Sequence, residues 1–207
     1  MKELVVISAN GPDHWRACAD SWHGKAPYAM FDTGSGQIPD VEDVGPVWQT
    51  GTFLYAYRET IADAFLFTQD TVTVQPGWPD PVEWFRMRMT GDVCAVGWQL
   101  FPMDDYERAY VEDWYRDDIA SSNDFARPSR GIVGPVFYTT RKTLDVLDEL
   151  GLLPPVPTTR EQQAATERAW AYAFYLARIP LAGEPFVPNE IPAKVTEYGP
   201  LRKVWMH

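Results

Sequence analysis

Ala64-Phe65-Leu66-Phe67-Thr68-Gln69-Asp70-Thr71-Val72 is an apolar run that ends in a single carboxylate between polar neighbours. A run without alternation predicts a strand buried on both faces, as in a parallel sheet. Open α/β sheets place ligand groups just past the carboxyl ends of such strands. The same pattern occurs earlier, in Tyr28-Ala29-Met30-Phe31-Asp32-Thr33-Gly34-Ser35-Gly36. Two strands that each end in one Asp predict an α/β fold with a site built on Asp32 and Asp70.

The segments around these strands fit that fold. Leu4–Ile7 is a short β-branched run, and Ser8-Ala9-Asn10-Gly11-Pro12-Asp13 follows it. Pro12 suits a first helical position. Trp15, Cys18, Ala19 and Trp22 then share one helix face, and Gly24 ends the helix. This is a βαβ opening, so the strands Leu4–Ile7 and Tyr28–Phe31 should be parallel. Gln37 to Pro46 reads as a loop. Thr52 to Asp63 reads as a helix with Phe53, Tyr57 and Ile61 on one face, leading into the strand Ala64–Thr68. After a turn at Pro76-Gly77-Trp78-Pro79, Pro81 to Arg88 reads as a short helix and Asp92 to Gln99 as a strand.

The second half departs from the βα rhythm. Acids crowd about 103–128 among Tyr and Trp, which predicts a partly helical insertion or flap. Gly131 to Tyr138 is an extended segment punctuated by Gly131 and Gly134, and a helix follows over Thr140–Glu149. Thr158-x-x-Glu161 has the spacing of a capping box, so a long helix should begin there and run to about Arg178. The proline-rich tail, about 180–207, should add strands or wrap the surface. No linker divides the chain, which reads as a single domain over 1–207.

Composition narrows the function. The chain has 207 residues and 45% hydrophobic content, enough for one sizeable core. A net charge of −11 repels polyanions and disfavours bulk nucleic-acid binding. Two cysteines, Cys18 and Cys94, make no disulfide scaffold and read as reduced and buried. No apolar stretch reaches the roughly 18 residues of a membrane span, and no leader-like segment opens the chain. A cytoplasmic protein is the expectation. Nine tryptophans suit a core and also a cleft that stacks on sugar faces; Trp48, Trp78 and Trp98 flank the strand ends.

The order of these features resembles the GT-A glycosyltransferases, the family 2-like group in particular. The features are a strand before Ser8-Ala9-Asn10, then Asp32-Thr33-Gly34-Ser35, then Gly51 opening a helix, and then Gln69-Asp70-Thr71 with Pro76-Gly77 behind it. Gly131-x-x-Gly134 and an acidic residue on the long helix complete the series. The resemblance covers about residues 3–180. It implies a metal-assisted transfer of sugar from a nucleotide diphosphate sugar, such as a UDP-sugar, to the hydroxyl of a glycan, a protein or a modified nucleobase. It places Ser8 and Asn10 at the nucleotide base and Asp32 at the uracil or ribose. Gln69 and Asp70 fall at the donor, with Asp70 reaching the ribose and a Mn²⁺ or Mg²⁺ ion on the diphosphate. The family has two or three acids where this chain has Gln69-Asp70-Thr71. That departure leaves open a metal-independent enzyme or a non-catalytic carbohydrate- or protein-binding module. The aromatic and arginine content also resembles small glycosyltransferases of actinobacterial bacteriophages, which would act in the host cytoplasm.

Glu167 is the candidate base. Trp170, Ala171 and Phe174 share its helix face, and an apolar setting favours the neutral carboxyl. A role as acceptor ligand, or a structural ion pair with Arg168 or a cation of a neighbouring segment, is the alternative. An inverting transfer needs a base to take the acceptor proton. The three histidines, His14, His23 and His207, have no metal-ligand spacing; His14 lies close to the nucleotide end and His207 in the tail. There is no G-x-G-x-x-G after the first strand, no P-loop and no G-x-S-x-G, which removes dinucleotide, P-loop and hydrolase readings.

Overall fold

The computed structural model describes residues 1–102, 105–122, 128–132, 136–185 and 195–204. The opening βαβ unit is β1 (Glu3–Ala9), α1 (Trp15–Trp22) and β2 (Tyr28–Asp32), and β1 and β2 are parallel. Pro12 lies ahead of the helix rather than in its first turn, because α1 begins only at Trp15. The loop after Asp32 contains a two-residue strand, β3 (Glu42–Asp43), paired with β2.

α2 spans Trp48–Glu59, earlier than Thr52–Asp63. Gly51 therefore does not open it. It sits in the first turn, where a Cβ would lie 2.5 Å from Val47 Cβ, so it serves close packing. Ile61, beyond the helix end, is 79% exposed instead of sharing the face of Phe53 and Tyr57. β4 (Ala64–Gln69) is buried throughout and parallel to β1.

The remaining elements are β5 (Val72–Val74), α3 (Pro81–Arg86), β6 (Ala95–Pro102), α4 (Asp105–Trp114), α5 (Arg116–Ser121), β7 (Arg130–Ile132), β8 (Phe137–Thr140), α6 (Arg141–Glu149), α7 (Arg160–Leu176), β9 (Leu181–Pro185), β10 (Val195–Tyr198) and β11 (Leu201–Val204). The main sheet has the order β3-β2-β1-β4-β8-β6-β7, with β9 beside β6. β7 and β8 run against the others, so the sheet is mostly parallel. The extended segment read over Gly131–Tyr138 is met as β7 and β8, paired to β6 in nearly continuous register. Residues 133–135, Gly134 among them, lie outside the described residues.

Strand alternation sorts the core into two layers. Val6, Phe65, Phe67 and Phe137 face α2, α4, α6 and α7. Val5, Ile7, Leu66, Trp98 and Tyr138 face α1, α3 and a small sheet of order β10-β11-β5. The first layer is strongly aromatic. The Phe67 ring lies 4.6 Å from Phe53, 5.1 Å from Phe137 and 6.3 Å from Trp170. The acidic segment, where described, is helical. α4 packs on α7 and buries Val111. Residues 103–104 and 123–127 of the expected flap lie outside the described residues, as do 186–194 and 205–207 of the tail.

The long helix is capped one residue later than the capping-box reading. Thr159 Oγ1 accepts from the Gln162 N–H, and Gln162 Oε1 accepts from the Thr158 N–H. Thr159 is thus the N-cap, and Gln162 reaches past it to Thr158, so the cap forms without the reciprocal bond of a capping box.

Candidate functional site

The carboxyl ends of β1, β2 and β4 lie side by side, and the residues that end them form one cluster. Ser8 pairs with Phe31 on one side and Gln69 on the other, and Ala9 pairs with Asp32. The Asp70 N–H donates to the Ser8 carbonyl at 3.0 Å, and the Asn10 N–H donates to Asp70 Oδ2 at 3.2 Å. Ser8, Asn10, Asp32, Gln69 and Asp70 are thus brought together as the strand order requires. Asn10 is exposed, while Ser8, Asp32, Gln69 and Asp70 are buried.

Asp32 holds its own loop. Its Oδ1 accepts from the Ser35 N–H at 2.9 Å and its Oδ2 from Ser35 Oγ at 2.7 Å. Burial pushes its carboxyl up, but bonds from Ser35 and from the Gln37 and Ile38 backbone outweigh burial and hold it below 3.8. Gly34, at φ +90°, lets the loop turn close to Pro46, since a Cβ there would lie 2.8 Å from the Pro46 nitrogen. A carboxylate held this way contributes stability that is complete above its ordinary pKa and lost as pH falls through the lowered one. Asp32→Asn is therefore expected to cost about 1–3 kcal/mol at pH 7, by leaving loop N–H groups unpaired. In urea titrations the gap from wild type should close as the pH falls below 3.8. A gap that stays constant with pH would remove the carboxylate from this role.

Burial pushes the Asp70 carboxyl above its ordinary range, opposed by the Asn10 N–H and by the charges of His14 and Lys203. Behind Asp70 lies Cys18, whose thiol donates to the Val72 carbonyl at 3.1 Å and which burial pushes up, away from thiolate. Both cysteines are free and buried, as their number implied.

Lys203 is the residue that sequence reasoning missed. It stands on β11, opposite Val72, in the small sheet that packs beside β4. Its Nζ lies 3.5 Å from Thr71 Oγ1, and the residue is 4% exposed. Burial pulls its ammonium down to about 8, against the opposing pull of Glu167 and Asp70. Lys203 therefore places a buried cation beside Thr71 at the strand end. Nothing in Leu201-Arg202-Lys203-Val204 marks this lysine as buried.

Glu167 meets cations as well as apolar side chains. Its Oε2 lies 3.4 Å from Arg168 Nη1, the ion pair read as the alternative, and its charge also acts on Lys203. Arg168 also forks onto Glu107 of α4, with Nε and Nη2 at 2.9 and 3.2 Å, and donates to the Ile132 carbonyl at 3.0 Å. Gly131 leaves room for that arginine, since a Cβ there would lie 2.1 Å from Arg168 Cδ. Trp98 is fully buried and donates to the Tyr198 carbonyl, which makes it core rather than a stacking platform; Trp78 and Trp48 are half-buried. Among the described residues, no three His, Cys, Asp or Glu side chains gather as metal ligands.

No protein-family model matches this chain, and no curated protein matches it by sequence. Solved structures match it over most of its length. Glucosyl-3-phosphoglycerate synthase from Mycobacterium tuberculosis, in complex with uridine diphosphate, aligns at 12% identity and a TM-score of 0.48, over 91% of this chain and 73% of that one. CMP:2-keto-3-deoxy-manno-octonic acid synthetase, complexed with CTP, aligns at 12% and 0.48, over 90% of each. A glucose-1-phosphate thymidylyltransferase from Bacillus anthracis aligns at 12% and 0.43, over 89% and 87%. Likeness at that level bears on no residue and no reaction of this chain. The α/β class stands on the strand order itself: a parallel β3-β2-β1-β4 half of Rossmann-like, GT-A-like form, continued by mixed strands. Among the described residues, no helix is long and apolar enough to cross a membrane.

Proposed function

We propose that this chain is a nucleotide-sugar-dependent transferase that moves a sugar from a nucleotide diphosphate sugar to an acceptor hydroxyl. The observation that carries this reading is the convergence of Asn10, the Asp32–Ser35 loop and Asp70 at the carboxyl ends of three adjacent strands, where open α/β sheets bind ligands. Ser8, Asn10 and the loop held by Asp32 form the nucleoside end. Gln69 and Asp70 form the ribose and diphosphate end. Glu167, one helix away, takes the acceptor proton.

Thermal stabilisation by a panel of nucleotide sugars tests the reading. A donor at a hundredfold excess over its Kd should stabilise the wild type by about 2.7 kcal/mol. Asp70→Ala should lose most of that shift while still melting cooperatively, and product should form only when an acceptor is added. No shift with any donor would put a non-catalytic carbohydrate- or protein-binding module in its place.

A further inference from the structure

Two charged groups flank the end of β4. Glu107 pairs with Arg168 and Arg168 with Glu167; Lys203, buried, puts its Nζ 3.5 Å from Thr71 Oγ1, the residue after Asp70, and the charges of Asp70 and Glu167 act on it. The Arg168 group has a structural role, because its guanidinium ties α4, α7 and β7 together. Lys203 lies at the ligand end of β4. Lysines are almost never this buried unless paired, and a buried ammonium costs several kcal/mol that its partners must offset.

A divalent ion at Asp70 fits these residues poorly. Mg²⁺ and Mn²⁺ want several oxygen ligands, and among the described residues no three His, Cys, Asp or Glu side chains gather to supply them. One carboxylate oxygen, Oδ2, already accepts from the Asn10 N–H. A dication there would also share a low-dielectric site with the Lys203 ammonium, and repulsion between like charges is strongest in such a place.

We propose that the Lys203 ammonium is the resident cation of this site, standing where a metal ion would stand beside Asp70 and binding the donor diphosphate, so that binding and transfer need no divalent metal. This rests on the transferase reading above. In the transfer, the acceptor oxygen forms a bond to the anomeric carbon. The bond from that carbon to the diphosphate oxygen breaks, and its electron pair leaves on the diphosphate. Lys203 keeps its proton and donates a hydrogen bond to the charge that develops. The acceptor proton goes to the Glu167 carboxylate.

Calorimetric titration of UDP, GDP, ADP and dTDP into the full chain decides it, in EDTA and in Mn²⁺, alongside Mn²⁺ alone. One of the diphosphates should bind the wild type equally well in EDTA and in Mn²⁺. Lys203→Met, close in length but uncharged, should weaken that binding roughly ten- to a hundredfold, the value of a hydrogen bond to a charged group. Binding that appears only with Mn²⁺ overturns the inference and leaves the nucleotide site standing. So does Mn²⁺ binding alone, if Asp70→Asn abolishes it. If none of the diphosphates binds under any condition, the transferase reading falls and takes this one with it. If Lys203→Met fails to fold, the wild-type arms still decide whether the site needs metal, and Lys203→Arg, which keeps the charge, should bind in EDTA where Lys203→Gln binds weakly.

Discussion

Arg168→Ala is expected to lower the unfolding free energy by about 3–5 kcal/mol, the cost of stranding a buried charge. The side chains of Arg168 and Glu107 are 10% and 14% exposed, so water screens their pair little. The guanidinium satisfies both Glu107 oxygens and the Ile132 carbonyl, in a slot that exists because residue 131 is glycine. Truncation takes the guanidinium from both oxygens of the buried Glu107 carboxylate and from the Ile132 carbonyl, and opens a void at Gly131. Removing both charges together, as Arg168→Met with Glu107→Leu, should recover much of the loss, because the penalty lies in the stranded partner. Urea unfolding of the two single variants and the double variant reads the coupling directly. A loss within about 0.5 kcal/mol for Arg168→Ala, the size of an ordinary surface substitution, would mean that the fork contributes nothing to the fold.

The first half of the chain was legible because its strands are buried on both faces. Leu4–Ile7 and Ala64–Thr68 carry continuous apolar runs that admit one reading, and the acids that end β2 and β4 stand out against them. The boundary errors came from residues with two plausible uses. Gly51 looks like a helix start and instead makes room for the Val47 and Val156 side chains, and two overlapping capping pairs compete at Thr158 and Thr159. Lys203 was illegible for a different reason. The charges that act on it, Asp70 and Glu167, are distant in sequence, and a basic residue in a short strand reads as solvated until they are placed. Local pattern fixes where a strand ends. Which charges meet beyond its end depends on tertiary packing alone.

Phe67→Ala is expected to cost about 3–5 kcal/mol, and Phe67→Leu clearly less. Phe67 is fully buried at the centre of the aromatic layer, directly opposite Phe137 across the β4–β8 ladder. Phe53 of α2, Phe65 on its own strand and Trp170 of α7 surround it at ring separations of 4.6, 5.4 and 6.3 Å. Alanine would leave a cavity that β4 cannot close, because parallel pairing to β1 and antiparallel pairing to β8 hold its backbone from both sides. Leucine keeps most of the volume and loses mainly the stacking on Phe53. The variant also tests how the site is held. Phe67 lies three residues before Asp70, and Trp170 lies three after Glu167, so one ring contact links the strand and the helix that carry the two acids. The midpoint of urea unfolding should fall with an unchanged slope, as for a loss of stability without a change of fold. A fall of less than about 1 kcal/mol for Phe67→Ala would show that the layer collapses around the missing ring, and that β4 and α7 are positioned by the Arg168–Glu107 pair instead.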